Sequence, residues 1–308
     1  MGLLTGESKY IDVLERTLYN GALDGISLEG NHFFYGNTLA SNGKNFRREW
    51  FGTACCPANI ARLIASLGNY IYGYNDDGVW VNLFIGSSTN IQLGKQNLPV
   101  KMETNYPWDG NVKITVVPEE KTKFDLHIRI PGWAQGNAVP GGLYNFEDNS
   151  AANFTIKING KEVPYQMDKG YAIINREWKK NDAVEVSLPM NIKRIVSRPE
   201  VKADENRVAL QRGPLVYCVE GADNNNHAWN MILPESTALS TSKKTVGTES
   251  IITIEGEVPS LSVSADGSSV QTEKRKLVAI PYYVWCNRGQ NQMQVWLPVS
   301  IKEVKVNN

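Results

Sequence analysis

Two adjacent thiols, Cys55 and Cys56, lie in the run Trp50-Phe-Gly-Thr-Ala-Cys-Cys-Pro-Ala-Asn-Ile-Ala-Arg62 and open directly onto a helix signal. Pro57 suits the first helical position, and Ile60, Leu63, Ile64, Leu67 and Ile71 recur at helical spacing as one apolar face. The thiols are thereby expected beside a helix N-terminus, where unpaired N–H groups and the positive end of the dipole favour an anion. Thiols so placed can have pKa values lowered to roughly 3.5–7.5. The residues alone leave three readings open. The pair is inert, with Cys56 packed and Cys55 partly exposed; or it supplies half of a tetrahedral zinc shell; or one thiol is a nucleophile activated by a base, a metal or the helix end. Spacing names only the helix end.

The elements that must position this pair are held in a chain of 308 residues, long enough for two or three domains, with 42% apolar residues to fill their cores. Its 32 basic and 32 acidic residues cancel, so no global field draws nucleic acid or an anionic membrane. No apolar run approaches the ~18 residues of a membrane span, and Met1-Gly-Leu-Leu-Thr-Gly-Glu7 has no signal-peptide pattern. Export cannot be read from this N-terminus, which leaves the compartment open between the cytoplasm and, where an upstream segment carries a signal, the periplasm. Four cysteines do not make a disulfide framework, and Cys218 and Cys286 fall in apolar runs where a cysteine serves as a small buried hydrophobe. The carboxylate pairs Asp76-Asp77 and Glu119-Glu120 stand at turns and read as solvated charges.

Along the chain, residues 8–20 read as an amphipathic helix carrying Tyr10, Val13, Leu14, Thr17 and Leu18 on one face. The aromatic segment His32-Phe-Phe-Tyr-Gly-Asn-Thr-Leu39 suits either a sugar-binding floor or core packing, and Arg47 and Arg48 read as a solvated pair. Two helices cannot bury their apolar faces alone, so residues 1–73 look like the end of something larger. Beyond Gly73 the period turns strand-like. Short runs punctuated by turns such as Asp76-Asp77-Gly78 and Asn159-Gly160 predict a first antiparallel sandwich over 74–188, with 135–153 as a long loop inside it. A second series over 189–308 predicts another β-domain, with loops at 221–228 and 236–249. The expectation is a mainly β chain.

At this point the residues resemble a known family. The run Trp50 to Tyr72 is similar to the signature of glycoside hydrolase family 127, the β-L-arabinofuranosidase-like proteins. So are Tyr10-Ile-Asp-Val-Leu-Glu-Arg-Thr-Leu-Tyr-Asn20, His32 to Leu39, Ile128-Arg-Ile-Pro-Gly-Trp133 and Val208-Ala-Leu-Gln-Arg-Gly-Pro-Leu-Val-Tyr-Cys218. The resemblance implies two consecutive antiparallel β-sandwich domains preceded by the last helices of an incomplete (α/α)6 barrel. It also implies retaining hydrolysis by a zinc-bound cysteine, through a glycosyl-thioether that water releases. Cys55 matches the nucleophile, Cys55 and Cys56 match zinc ligands, and Tyr35 matches a sugar-contacting tyrosine.

The family's Glu-x-Cys zinc ligands and its general acid are expected upstream of Met1, and no Glu-x-Cys occurs in this sequence. The implied chain is therefore the C-terminal portion of a longer enzyme, inactive alone, whose partners are a plant-type glycan or arabinofuranoside and an upstream polypeptide completing the barrel. A homodimer is a further arrangement. The competing expectation is a non-catalytic carbohydrate-binding or assembly module built on the β-domains.

Overall fold

The structure is a computed structural model that describes residues 1–148, 153–264, 266 and 268–304. It is mainly β. The chain divides into two compact units, neither continuous in sequence: Met1–Glu15 with Arg62–Pro140 and Asn149–Met190, and Arg16–Ala61 with Gly141–Asp148 and Asn191–Asn308.

The first unit holds a six-stranded and a five-stranded sheet. Period-two alternation builds them: along Asn111–Val116 the residues Val112, Ile114 and Val116 are buried while Asn111 and Lys113 are exposed. In the five-stranded sheet Thr122–Arg129 pairs antiparallel with Tyr171–Trp178, from Thr122 opposite Trp178 to Arg129 opposite Tyr171. Its other neighbour, Gly78–Val81, runs parallel to it, which departs from the purely antiparallel expectation. The strand Gln96–Thr104 was not predicted. Pro99 lowers its strand signal, yet over residues 100–102 it is paired on both sides.

Arg129 is wholly buried on the sheet face opposite Ile128 and Ile130. The helix Lys9–Arg16 meets it there, with Asp12 Oδ1 2.7 Å from Arg129 Nη1 and Glu15 bonded to Nη2. Tyr106 donates to Glu15 at 2.8 Å and Arg129 Nε donates to Asn82 O at 2.5 Å. The adjacent carboxylates hold the Arg129 guanidinium charged against its burial, whereas burial raises the Asp12 carboxyl.

In the second unit, expected as a further β-sandwich, ten strands among the described residues join into one hydrogen-bonded sheet. Its longest ladder pairs Glu249–Val263 with Val270–Pro281. Ser240–Val246, predicted as loop, is an edge strand on Glu249–Val263. Its Ser and Thr side chains and Lys243 are exposed and Lys244 is half-buried on Asp223, so burial leaves no apolar alternation to read. Gly247, at φ 60°, makes the turn between them. Within the stretch predicted as a loop of the first sandwich, Tyr144–Phe146 pairs with Ile192–Ser197 of this second sheet; three residues carry too short a pattern to reveal it. Residues 149–152 of that stretch lie outside the described residues.

The first helix expected over 8–20 spans Lys9–Arg16 and then widens into a π-helical turn, Thr17–Ala22. Asn20, in that turn, donates to Pro214 O at 2.9 Å and accepts from Val216 N at 2.8 Å, tying the turn to a strand. No helix among the described residues is long and apolar enough to cross a membrane.

Candidate active site

The helix bearing the thiols spans Cys55–Ala65, so both cysteines lie in its first turn and Pro57 follows them there. The expected apolar face is not a buried one. Pro57 is the helix's buried residue, Ile64 is exposed, and of the five periodic positions Ile71 alone is buried. The thiols therefore stand on a helix end open to solvent, with Cys55 exposed and Cys56 half-buried.

Tyr35 closes the group. Its hydroxyl is 2.9 Å from Cys55 Sγ, and the two sulfurs are 3.8 Å apart and reduced. The Tyr35 hydroxyl, then Cys56, hold the Cys55 thiol below the usual cysteine range. The same hydrogen bond pushes Tyr35 up to about 12, and burial together with the neighbouring Cys55 raises Cys56. Backbone amides at the helix end rank below the phenol as causes for Cys55. Cys55 is thus the thiol of the pair favoured to ionise first.

The segment carrying Tyr35 is fixed by a short antiparallel bridge. Phe33 N donates to Arg48 O at 2.7 Å and Arg48 N to Phe33 O at 2.9 Å. Alternation then sends Phe34 and Arg47 to the core and Tyr35 and Arg48 outward. On the outer side Tyr35 packs edge-on against Phe51, with centroids 5.2 Å apart, and Arg48 lies 5.8 Å from the same ring. On the inner side Phe34 stacks on Trp285 at 4.9 Å, and the Arg47 guanidinium lies 4.2 Å from the Phe34 ring.

Arg47, read from sequence as solvated, is only 8% exposed. It donates to Asp24 O at 2.5 Å and to Trp285 O at 3.0 Å, and sits 3.3 Å from the fully buried Asp24 carboxylate. Burial raises Asp24 and lowers Arg47, each opposed by the charge of the other. A buried charge must be paired and hydrogen-bonded, and Asp24 with the carbonyls of Tyr283 and Trp285 meets that need in part, leaving Arg47 Nε and Asp24 Oδ2 without a hydrogen-bond partner among the described residues. Asp24 and Arg47 were missed as supports of the site; the signal available was the alternation of Phe33-Phe-Tyr35 against Arg47-Arg48. Cys218 and Cys286 are buried and far from ionising, consistent with packing roles.

The thiol pair fits two corners of a zinc shell: two sulfurs at about 2.3 Å from one tetrahedral zinc stand about 3.8 Å apart, the separation seen here. Among the described residues no third His, Cys, Asp or Glu joins them.

The Tyr35 hydroxyl against the Cys55 thiol is the arrangement the fold presents, and the comparisons with known proteins give the chain a family. The models for the β-L-arabinofuranosidase GH127 catalytic domain, the GH127 middle domain and the glycoside hydrolase family 127 C-terminal domain match residues 1–69, 78–190 and 192–298 in turn. The chain belongs to glycoside hydrolase family 127. It is 33% identical to a non-reducing end β-L-arabinofuranosidase of Bifidobacterium longum subsp. longum, over 95% of this chain and 46% of that protein. A solved GH127 β-arabinofuranosidase superposes with a TM-score of 0.94 at 40% identity, covering 99% of this chain and 48% of the other. A GH127 β-L-arabinofuranosidase from Geobacillus stearothermophilus T6 gives 0.86 at 38% identity, covering 97% and 47%. The chain spans just under half the length of these relatives.

Proposed function

We propose that this chain carries the nucleophile of a retaining glycoside hydrolase acting on β-L-arabinofuranosides, with Cys55 as nucleophile and its helices belonging to an (α/α)6 barrel. The observation that carries the reading is the 2.9 Å contact of the Tyr35 hydroxyl with Cys55 Sγ, on the thiol whose pKa is lowered. The Cys55 thiolate attacks the anomeric carbon, forming a C–S bond as the glycosidic C–O bond breaks and its electron pair leaves with the aglycone oxygen. The general acid protonates that oxygen; water then attacks the same carbon, returning a proton to the acid's conjugate base as the C–S bond breaks and the thiolate is restored, and two inversions give retention. Tyr35 donates to the thiolate before attack and after release, and its exposed ring edge faces the incoming sugar.

Zinc, held in part by Cys55 and Cys56, would supply the charge that keeps both thiols deprotonated near neutral pH. The reading assigns the remaining zinc donors and the general acid to residues outside these 308. It therefore expects the 308-residue chain alone to release no arabinose from an aryl β-L-arabinofuranoside. Joined to a polypeptide supplying those groups, the chain should be active, and Cys55→Ser should lower kcat by roughly 10⁴-fold or more. Arabinose release by the chain alone, or an unaltered kcat in the Cys55→Ser protein, would overturn the assignment.

A further inference from the structure

A cleft of about 290 Å³ opens in the second unit, and it shares no lining residue with the thiol site. Trp229 and Trp296 supply ring surface to it, and Asp204, Arg207 and Gln294 supply polar groups. These side chains come from a rigid junction of short strands. Ala40–Asn42 pairs with Gln292–Gln294, and Arg207 and Val208 pair with Pro298 and Leu297. Trp296 lies between two of those paired segments, and Trp229 lies in the adjoining turn Ala228–Asn230.

The rings are locked in place. Trp229 Nε1 donates to Ser41 O at 2.7 Å and to Met293 O at 3.1 Å. Trp296 stacks on Tyr144 with centroids 5.5 Å apart, and its carbonyl accepts from Arg207 Nη1 at 3.0 Å. The Tyr144 hydroxyl in turn donates to Asp204 Oδ2 at 3.2 Å, which orients the carboxylate on the cleft wall. Both tryptophans are only part-buried. With the Trp229 indole N–H and the Trp296 carbonyl satisfied within the protein, ring surface is what the two tryptophans offer to a ligand.

We propose that this cleft is a non-catalytic binding site for a neutral glycan. Fixed indole faces match the apolar C–H face of a sugar ring. A carboxylate and a guanidinium at the rim match its hydroxyls as acceptor and donor, and the volume suits one or two sugar residues. The equal numbers of acidic and basic residues in the chain give no field favouring a charged polymer. That the glycan contains arabinofuranose rests on the function proposed above; the cleft's chemistry does not.

The test is calorimetric titration of the 308-residue chain with arabino-oligosaccharides and, separately, with xylo- and gluco-oligosaccharides. Binding should be measurable and should survive Cys55→Ser. It should weaken at least about tenfold in Trp296→Ala and in Ala203→Trp, which fills the cleft from an exposed position without removing packing. Binding of another neutral glycan in place of arabinan would uphold the cleft and count against the arabinofuranoside assignment. The proposal is overturned by no binding of any of these glycans at about 10 mM, by binding indifferent to Ala203→Trp, or by binding lost in Cys55→Ser.

Discussion

Two buried arginines do the same structural task in the two units, and only one of them reaches the chemistry. Arg129 in the first unit and Arg47 in the second each draw carboxylates from the N-terminal helical region onto a β framework. Arg129 binds two, Asp12 and Glu15, and its surroundings are core: Phe84, Tyr106 and the sheet. Arg47 binds one, Asp24, and its Nη2 also donates to turn carbonyls while the guanidinium covers Phe34. Phe34 is the chain neighbour of Tyr35, which touches Cys55. The difference separates a charge cluster that holds a fold together from one that also sets the geometry of a reactive group.

The largest effect should come from Arg129→Met. Removing the cation leaves two carboxylates facing each other in a buried site, and stability should fall by about 3–5 kcal/mol or more. Urea denaturation would measure it. Cys55 alkylation by iodoacetamide, followed in the folded protein, should keep its wild-type pH profile. Arg47→Met should also cost about 3–5 kcal/mol by stranding Asp24, and there the alkylation profile should change, because Phe34 and hence Tyr35 lose their backing. Pairing it with Asp24→Leu should restore much of the stability without restoring the profile. If both arginine variants left Cys55 reactivity alike, the distinction between the two clusters would collapse.

A smaller effect is expected from Arg48→Ala, on the outer face of the same bridge. Arg48 lies over the exposed Phe46 and the half-buried Phe51 rings, and exposed contacts of this kind contribute about 0.5–1 kcal/mol. Melting should shift slightly and the Cys55 profile less than in Arg47→Met, since Tyr35 keeps its backing on the core side.

Most strands were legible because their alternation survives in sequence, as in Asn111–Val116, and the helix at Cys55 was legible from Pro57 and the spacing that follows. Ser240–Val246 was not, because an edge strand with polar faces carries no apolar period. Arg47 and Arg48 look identical in sequence. Their separation into a core and a solvent residue depends on the bridge between Phe33 and Arg48, a pairing across fifteen residues that no local pattern announces. The thiol pair stood out in sequence as the candidate site and the resemblance implied Tyr35 as a sugar contact, whereas the hydrogen bond by which Tyr35 lowers Cys55 became visible only when the fold brought residues 35 and 55 together.

The most direct measurement is the pH dependence of alkylation at Cys55 and Cys56, resolved by fragment-ion mass spectrometry, in the wild-type chain and in Tyr35→Phe. A hydrogen bond donated to the thiolate favours the charged form, so alkylation of Cys55 should reach half its plateau at lower pH than that of Cys56. Tyr35→Phe removes the donor and should move the Cys55 midpoint upward towards the usual cysteine range of about 8.5. Coincident midpoints for the two thiols, or a Cys55 midpoint unmoved by Tyr35→Phe, would contradict the account.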